Sequence, residues 1–240
     1  VYGHDRWKAG TGGGDYSFTQ LAGPTTITIA ANKTLIQVIE DKNVYGGTYI
    51  LSWTGTAQAR YAINSATPAG AYASSPITIT GQTAGTTMSV EFGNGASSGT
   101  LGQVQLECGT LATPFEFRPI GVETSLCERY YFRITAAESS GSSYHRIAPG
   151  FINTTTTADF IIMFPTRMRT YPTLETSTLN LMVINDITTV QALTALALNS
   201  SLPHVGYLYA TCASGLTANR PGSLNFNNNQ TGWIAFTAEL

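Results

Sequence analysis

Residues 104–119 constrain the fold more than any other stretch. Val104-Gln105-Leu106-Glu107-Cys108 alternates apolar and polar side chains, the period of a half-buried strand. Pro114 and Pro119 follow, each removing a backbone donor and restricting the residue before it, so no sheet runs on across them. Arg129-Tyr130-Tyr131-Phe132-Arg133-Ile134 then opens a second series of strands. The chain reads as two modules, residues 1–118 and 119–240, joined by a connector from Thr113 to Cys127. Val122 to Glu128 is the helix candidate of that region.

Both modules are patterned for sheet. In the first, strands are expected at Thr25–Ile29, Leu35–Ile39, Thr48–Trp53, Ile77–Thr80, Thr86–Phe92 and Leu101–Leu106. Gly46-Gly47, Gly81, Gly85 and Gly93-Asn94-Gly95 divide them as turn signals. In the second, Ala158–Pro165, Leu179–Ile184, Val205–Thr211 and Gly232–Leu240 read as strands. Gln191–Leu198 is rich in Ala and Leu and reads as a short helix, with Thr188-Thr189-Val190 before it leaving strand open. The expected class is all-β: two β-sandwich or jelly-roll-like modules in tandem.

Composition excludes several functions. Only 11% of the 240 residues are charged, against the usual quarter, and 42% are hydrophobic, ample for a core. The net charge of -2 leaves no electrostatic footprint for nucleic acid, and the lysines (Lys8, Lys33, Lys42) all lie near the start. The densest apolar run, Ile161-Ile162-Met163-Phe164, is far short of the roughly 20 residues that span a bilayer, so no membrane insertion is expected. No secretory signal is visible, and the start at Val1 without Met implies a chain trimmed from a longer parent or represented only in part. Cys108, Cys127 and Cys212 are an odd set without a C-x-x-C pair, expected as buried free thiols of a protein made in a reducing cytoplasm.

Chemistry-bearing constellations are sparse. No G-x-S-x-G elbow is present, and His4, His145 and His204 sit in unrelated contexts. A glycosidase needs two acids roughly 5–9.5 Å apart; the candidates Glu138, Asp159, Glu175 and Asp186 fall on different elements. No catalytic residue, metal site or cofactor is therefore expected, and the chain is read as a non-enzyme. Asn185-Asp186 and Asn225–Asn229 supply oxygens, but calcium wants six to eight, and turn chemistry explains the asparagines better. Arg129, Arg133, Arg167 and Arg169 are expected to pair with acids or carbonyls, in part across a subunit boundary. A sugar site combines an aromatic face with two-way hydrogen-bonding groups. Tyr144, His145 and Arg146 in a Ser/Gly-rich loop, and Asn227 and Asn228 near Trp233, fit that description. For Trp233 the competing expectation is the core, as it is for Trp7 and Trp53 of the first module.

Three short motifs of the second module resemble the C-terminal head of bacteriophage tail fibres: Cys127-Glu128-Arg129-Tyr130-Tyr131, Phe164–Thr173, and Phe236-Thr237-Ala238-Glu239-Leu240. The first module, through His4-Asp5-Arg6-Trp7 and Tyr49–Gly55, is similar to jelly-roll modules that precede such heads and resemble carbohydrate-binding domains. The resemblance implies a homotrimer on the virion, joined to other tail proteins, with the head touching a host surface glycan such as lipopolysaccharide or capsule. No heptad shaft or collagen-like stalk is present, so any shaft precedes Val1. The function implied is a receptor-binding protein that mediates reversible host adsorption. The alternatives are a purely structural virion component, as decoration or baseplate spacer, and a polysaccharide depolymerase. Depolymerases of that kind resemble long β-helices, whose coil repeat is missing here.

Overall fold

The alternating segments of the first module become β1 (Trp7–Ala9), β2 (Tyr16–Thr19), β3 (Thr26–Ile29), β4 (Thr34–Ile39), β5 (Gly47–Thr54), β6 (Gln58–Ala62), β7 (Ala69–Ala73), β8 (Ile77–Gln82), β9 (Met88–Gly93) and β10 (Gly99–Cys108). This is a computed structural model, and it describes residues 7–10, 12–19, 25–138 and 144–238. His4, Asp5 and Arg6, residues 139–143 of the expected sugar loop, and the terminal Glu239 and Leu240 lie outside the described residues. The chain divides into two units between Arg118 and Pro119.

The first unit stacks two antiparallel sheets, ordered β1-β4-β9-β6-β7 and β2-β3-β10-β5-β8. Successive strands from β3 to β10 fill the orders 4-9-6-7 and 3-10-5-8, which is the jelly-roll arrangement. The core lies where the inward residues of the two sheets meet. Phe92 is fully buried there, edge-on to Trp7 at 5.6 Å and to Trp53 at 5.2 Å. Both tryptophans are core residues.

The other face of β9 is also closed off. Glu91 is fully buried, its carboxylate accepting from the Thr34 hydroxyl at 2.6 Å and pairing with Arg60 Nε at 2.5 Å. The Arg60 guanidinium in turn lies 5.0 Å over the Tyr72 ring. Hydrogen bonding to Glu91, against burial, holds the Arg60 guanidinium above its ordinary value. A buried charge that keeps its partner this way is a structural pair, since losing either member strands the other.

The second unit begins with α1 (Ile120–Glu128), set off by Pro119, whose missing N–H costs nothing at a helix start. The Thr124 and Ser125 hydroxyls donate back to the Ile120 and Gly121 carbonyls at 2.9 and 3.1 Å. Then come β11 (Tyr131–Thr135), β12 (Arg146–Ile152), β13 (Thr157–Met163), β14 (Thr173–Thr176), β15 (Met182–Asn185), β16 (Val190–Leu202), β17 (Val205–Cys212), β18 (Arg220–Phe226) and β19 (Trp233–Thr237). Six of them close into an antiparallel barrel in the order β12-β13-β17-β16-β15-β18. The remaining sheet, β11-β19-β14, packs Phe132 and Phe236 against the same core, with Phe164 4.9 Å from Phe236. The whole chain is thus all-β, built of sandwich-like antiparallel layers.

Several local readings change. Gln191–Leu198 is strand, not helix: its residues lie in β16, pairing with β17 along most of its length and burying Leu193. Tertiary pairing overrides the helical propensity of Ala and Leu here. Leu179–Leu181 is a 3-10 turn, and only Met182–Asn185 continues as strand. The three cysteines form no disulfide, and Cys127 is half-buried. Cys212 is buried, but Cys108 is exposed, because it ends β10 where the chain leaves the sheet.

Candidate functional site

The expected sugar-loop residues meet the end of β18. Arg146 pairs in register with Asn225, the Phe226 N–H donates to the His145 carbonyl at 2.8 Å, and Asn225 Nδ2 reaches the Tyr144 carbonyl at 3.4 Å. Tyr144 and Arg146 are exposed and His145 half-buried. A register shift follows Arg146, so β12 bulges at Ile147.

Asn227, Asn228 and Trp233 have other surroundings. Asn227 donates through Nδ2 to the Asn180 carbonyl at 3.0 Å and through its backbone to Leu181 at 2.8 Å. Asn229 binds the Leu181 carbonyl and caps the Thr231 and Gly232 N–H groups, while Asn228 takes a left-handed φ of 46°. These amides fasten a turn. Trp233 belongs to the three-stranded sheet. There it alternates with the core residues Ile234 and Phe236 and faces away from them, half-buried under the Arg133 guanidinium at 4.7 Å. That cation occupies the aromatic face that a sugar would need.

One surface concavity of the barrel is a groove of about 730 Å³ across β12, β18 and β15. Arg146, Asn185 and Ser223 contribute its polar side chains, and Pro149, Ile187 and Pro221 its apolar ones. Arg146 is the residue that sequence reasoning found. Asn185 drew attention only as a cation ligand, and nothing in the local pattern marked Ser223, Ile187 or Pro221.

One wall of the groove depends on Asp186, at the end of β15. Its side chain is fully buried, and Oδ1 accepts from the backbone N–H and hydroxyl of both Thr188 and Thr189 at 2.7–3.1 Å. Oδ2 accepts from the Thr217 N–H at 2.6 Å. Burial by itself pushes this carboxyl up. The Thr217 and Thr189 N–H groups and the two hydroxyls outweigh it and hold Asp186 well below the usual carboxylate range. The turn that results sets Ile187 at a φ of 79°, 73% exposed, with its N–H donating to Asn185 Oδ1 at 3.0 Å. A β-branched residue is strained in the left-handed region. Ile187→Asn is therefore expected to raise stability by roughly 0.5–1 kcal/mol, read as a higher urea midpoint at unchanged slope. Among the described residues, no group of three or more His, Cys, Asp or Glu side chains is placed to hold a metal ion.

The barrel wall formed by β12, β13, β17 and β16 is apolar and open. Paired residues share a face, so Phe151, Asp159, Tyr209 and Ala197 form one outward row, with Ile161 and Tyr207, then Met163, Val205 and Leu202, beside it. Phe151, Ile161, Met163 and Leu202 are 46, 52, 64 and 47% exposed. An outward sheet face in contact with water is ordinarily polar, and a contiguous apolar patch of this kind marks an interaction surface. In its midst Asp159 Oδ2 accepts from Asn153 Nδ2 at 2.6 Å. Hydrogen bonding to the same carboxylate, with burial beside it, pushes the Tyr207 hydroxyl up.

No family model and no curated protein matches the chain. Among solved structures, it is similar to a Paenibacillus sp. cycloisomaltooligosaccharide glucanotransferase complexed with cycloisomaltoheptaose. Identity is 10% and the TM-score 0.28, over 98% of this chain and 45% of that one. It is also similar to the M60 catalytic domain with two CBM51 domains of Clostridium perfringens ZmpB. There identity is 7% and the TM-score 0.27, over 96% of this chain and 37% of that one. The chain spans less than half the length of either, and scores of this size carry no information about function.

Proposed function

We propose that this chain is a receptor-binding protein of a phage tail fibre, a homotrimer on the virion that adsorbs reversibly to a host surface glycan. The observation that best supports the reading is the open groove beside Arg146, a binding surface with donors and apolar flanks but no acid available for chemistry. Asp186, the carboxylate nearest in sequence, is engaged by Thr188, Thr189 and Thr217. Binding without turnover suits adhesion, where several weak sites held together raise avidity by orders of magnitude.

The apolar barrel wall supports the trimer. Copies of the chain that covered Phe151, Ile161 and Met163 would bury those side chains. Light scattering is expected to give a particle of three chains of 25.5 kDa each. Ile161→Glu places a charge in that interface and is expected to release monomer, with the circular dichroism unchanged. A lone 25.5 kDa particle from the unaltered chain removes the trimer.

Adsorption is tested by binding the labelled protein to bacterial cells and competing it against phage. Saturable binding that blocks phage attachment is the expected result. Neither binding nor competition would assign the chain to a structural place in the virion, and release of reducing ends from capsule or lipopolysaccharide would assign it to depolymerases.

A further inference from the structure

We infer that the groove across β12, β18 and β15 takes a saccharide bearing an anionic group, a carboxylate or a phosphate, with Arg146 as the residue that selects the charge. This deepens the adhesive reading and rests on it for the ligand being a saccharide.

The volume of about 730 Å³ falls within the range of small-ligand sites. Of its three polar side chains, Arg146 donates only, while Asn185 and Ser223 can both donate and accept. Arg146 offers a permanently charged guanidinium with no acceptor, and its side chain is exposed with no partner among the described residues. Asn185 uses Oδ1 on the Ile187 N–H, which leaves its Nδ2 to face a ligand. The Ser223 hydroxyl likewise has no partner among the described residues. Carboxylate and phosphate are the acceptors that a guanidinium binds in bidentate geometry.

Charge leads to the same class. No acid lines the groove, so Arg146 has no built-in counter-ion. The nearest carboxylate in sequence, Asp186, already accepts from three threonines. Among the described residues the lining contains no aromatic ring, the usual platform for a neutral sugar. Pro149, Pro221 and Ile187 supply apolar contact for the C–H face of a ring, and orientation falls to the ionic contact.

The test is calorimetric titration of the full chain with three probes: methyl β-glucuronoside, glucose 6-phosphate and methyl β-glucoside. At least one acidic probe is expected to bind about tenfold or more tighter than the neutral glucoside, the size of a charge-assisted hydrogen bond. Which acidic probe binds tells a carboxylate source from a phosphate source. Raising the salt is expected to weaken that binding. Arg146→Gln should abolish the preference, while Arg146→Lys, which keeps charge but not the fork, should retain part of it. Equal affinity for the neutral glucoside, no binding of either acidic probe, or an unchanged preference in Arg146→Gln overturns the inference. Cell adsorption separates this from the broader reading. If Arg146→Gln adsorbs as well as the unaltered chain, adhesion stands and the acidic ligand falls. If the unaltered chain does not adsorb, adhesion falls, and the titration still decides the groove.

Discussion

Phe92→Ala is expected to cost the first unit about 3–5 kcal/mol, the range for emptying a buried aromatic site. Phe92 is completely enclosed, edge-on to Trp7 and Trp53, and lies in register between Leu35 on β4 and Ala59 on β6. The neighbours cannot collapse into the void. Ala59 is too short to fill it, and the two indoles are held from other sides, Trp53 by its Nε1–H donating to the Ala57 carbonyl at 2.8 Å. Denaturant titration followed by tryptophan fluorescence reads the change directly, since both reporters flank the cavity. A loss under about 1 kcal/mol would mean that the ring is not the keystone of this core.

Asp186→Ala is the second large effect, about 2–4 kcal/mol, because it strands the Thr189 and Thr217 N–H groups that the carboxylate satisfies. It also frees the turn that holds Ile187, so weaker binding in the groove is expected alongside lower stability. The pH dependence has a definite sign. Asp186 titrates lower folded than unfolded, so its contribution is fully present above the ordinary carboxylate value of about 3.9 and fades as the pH falls through the folded value. The stability gap between the unaltered chain and Asp186→Ala should therefore be constant from neutral pH to mild acid and narrow only in strong acid. A gap that narrows already near neutrality would contradict the hydrogen-bonded carboxylate.

Much of the first unit was legible because its strands carry their burial in their period. Tyr49, Leu51 and Trp53 alternate inward, and the turn glycines before and after them are where the chain reverses. The strands that escaped notice lack that contrast. Ala69-Gly70-Ala71-Tyr72-Ala73 has almost no apolar volume to alternate, and β18 opens on Arg220-Pro221-Gly222, which carries no alternation either. Gly222 belongs there because β12 crosses closely: a Cβ at that position would run into Ile152. The groove was the least legible part. Arg146, Asn185 and Ser223 come from three separated strands, and only the closure of the barrel makes them neighbours. Trp233 shows the opposite limit. Its residue type suits sugar stacking, but Arg133, from the neighbouring strand, covers the ring.

The jelly-roll order has a consequence for synthesis. β4 pairs with β9 and β3 with β10 at the far end of the unit, so one sheet cannot close until the ribosome has released residues up to Gly93 and the other until Cys108. At about 5–20 residues per second, β3 waits roughly 4–16 s for its partner. During that interval its Ile27 and Ile29 edge is available to any other nascent chain, including a sister copy on the same message. Slow refolding from denaturant and a sensitivity to chaperone supply during expression are the kinetic marks of such distant pairing.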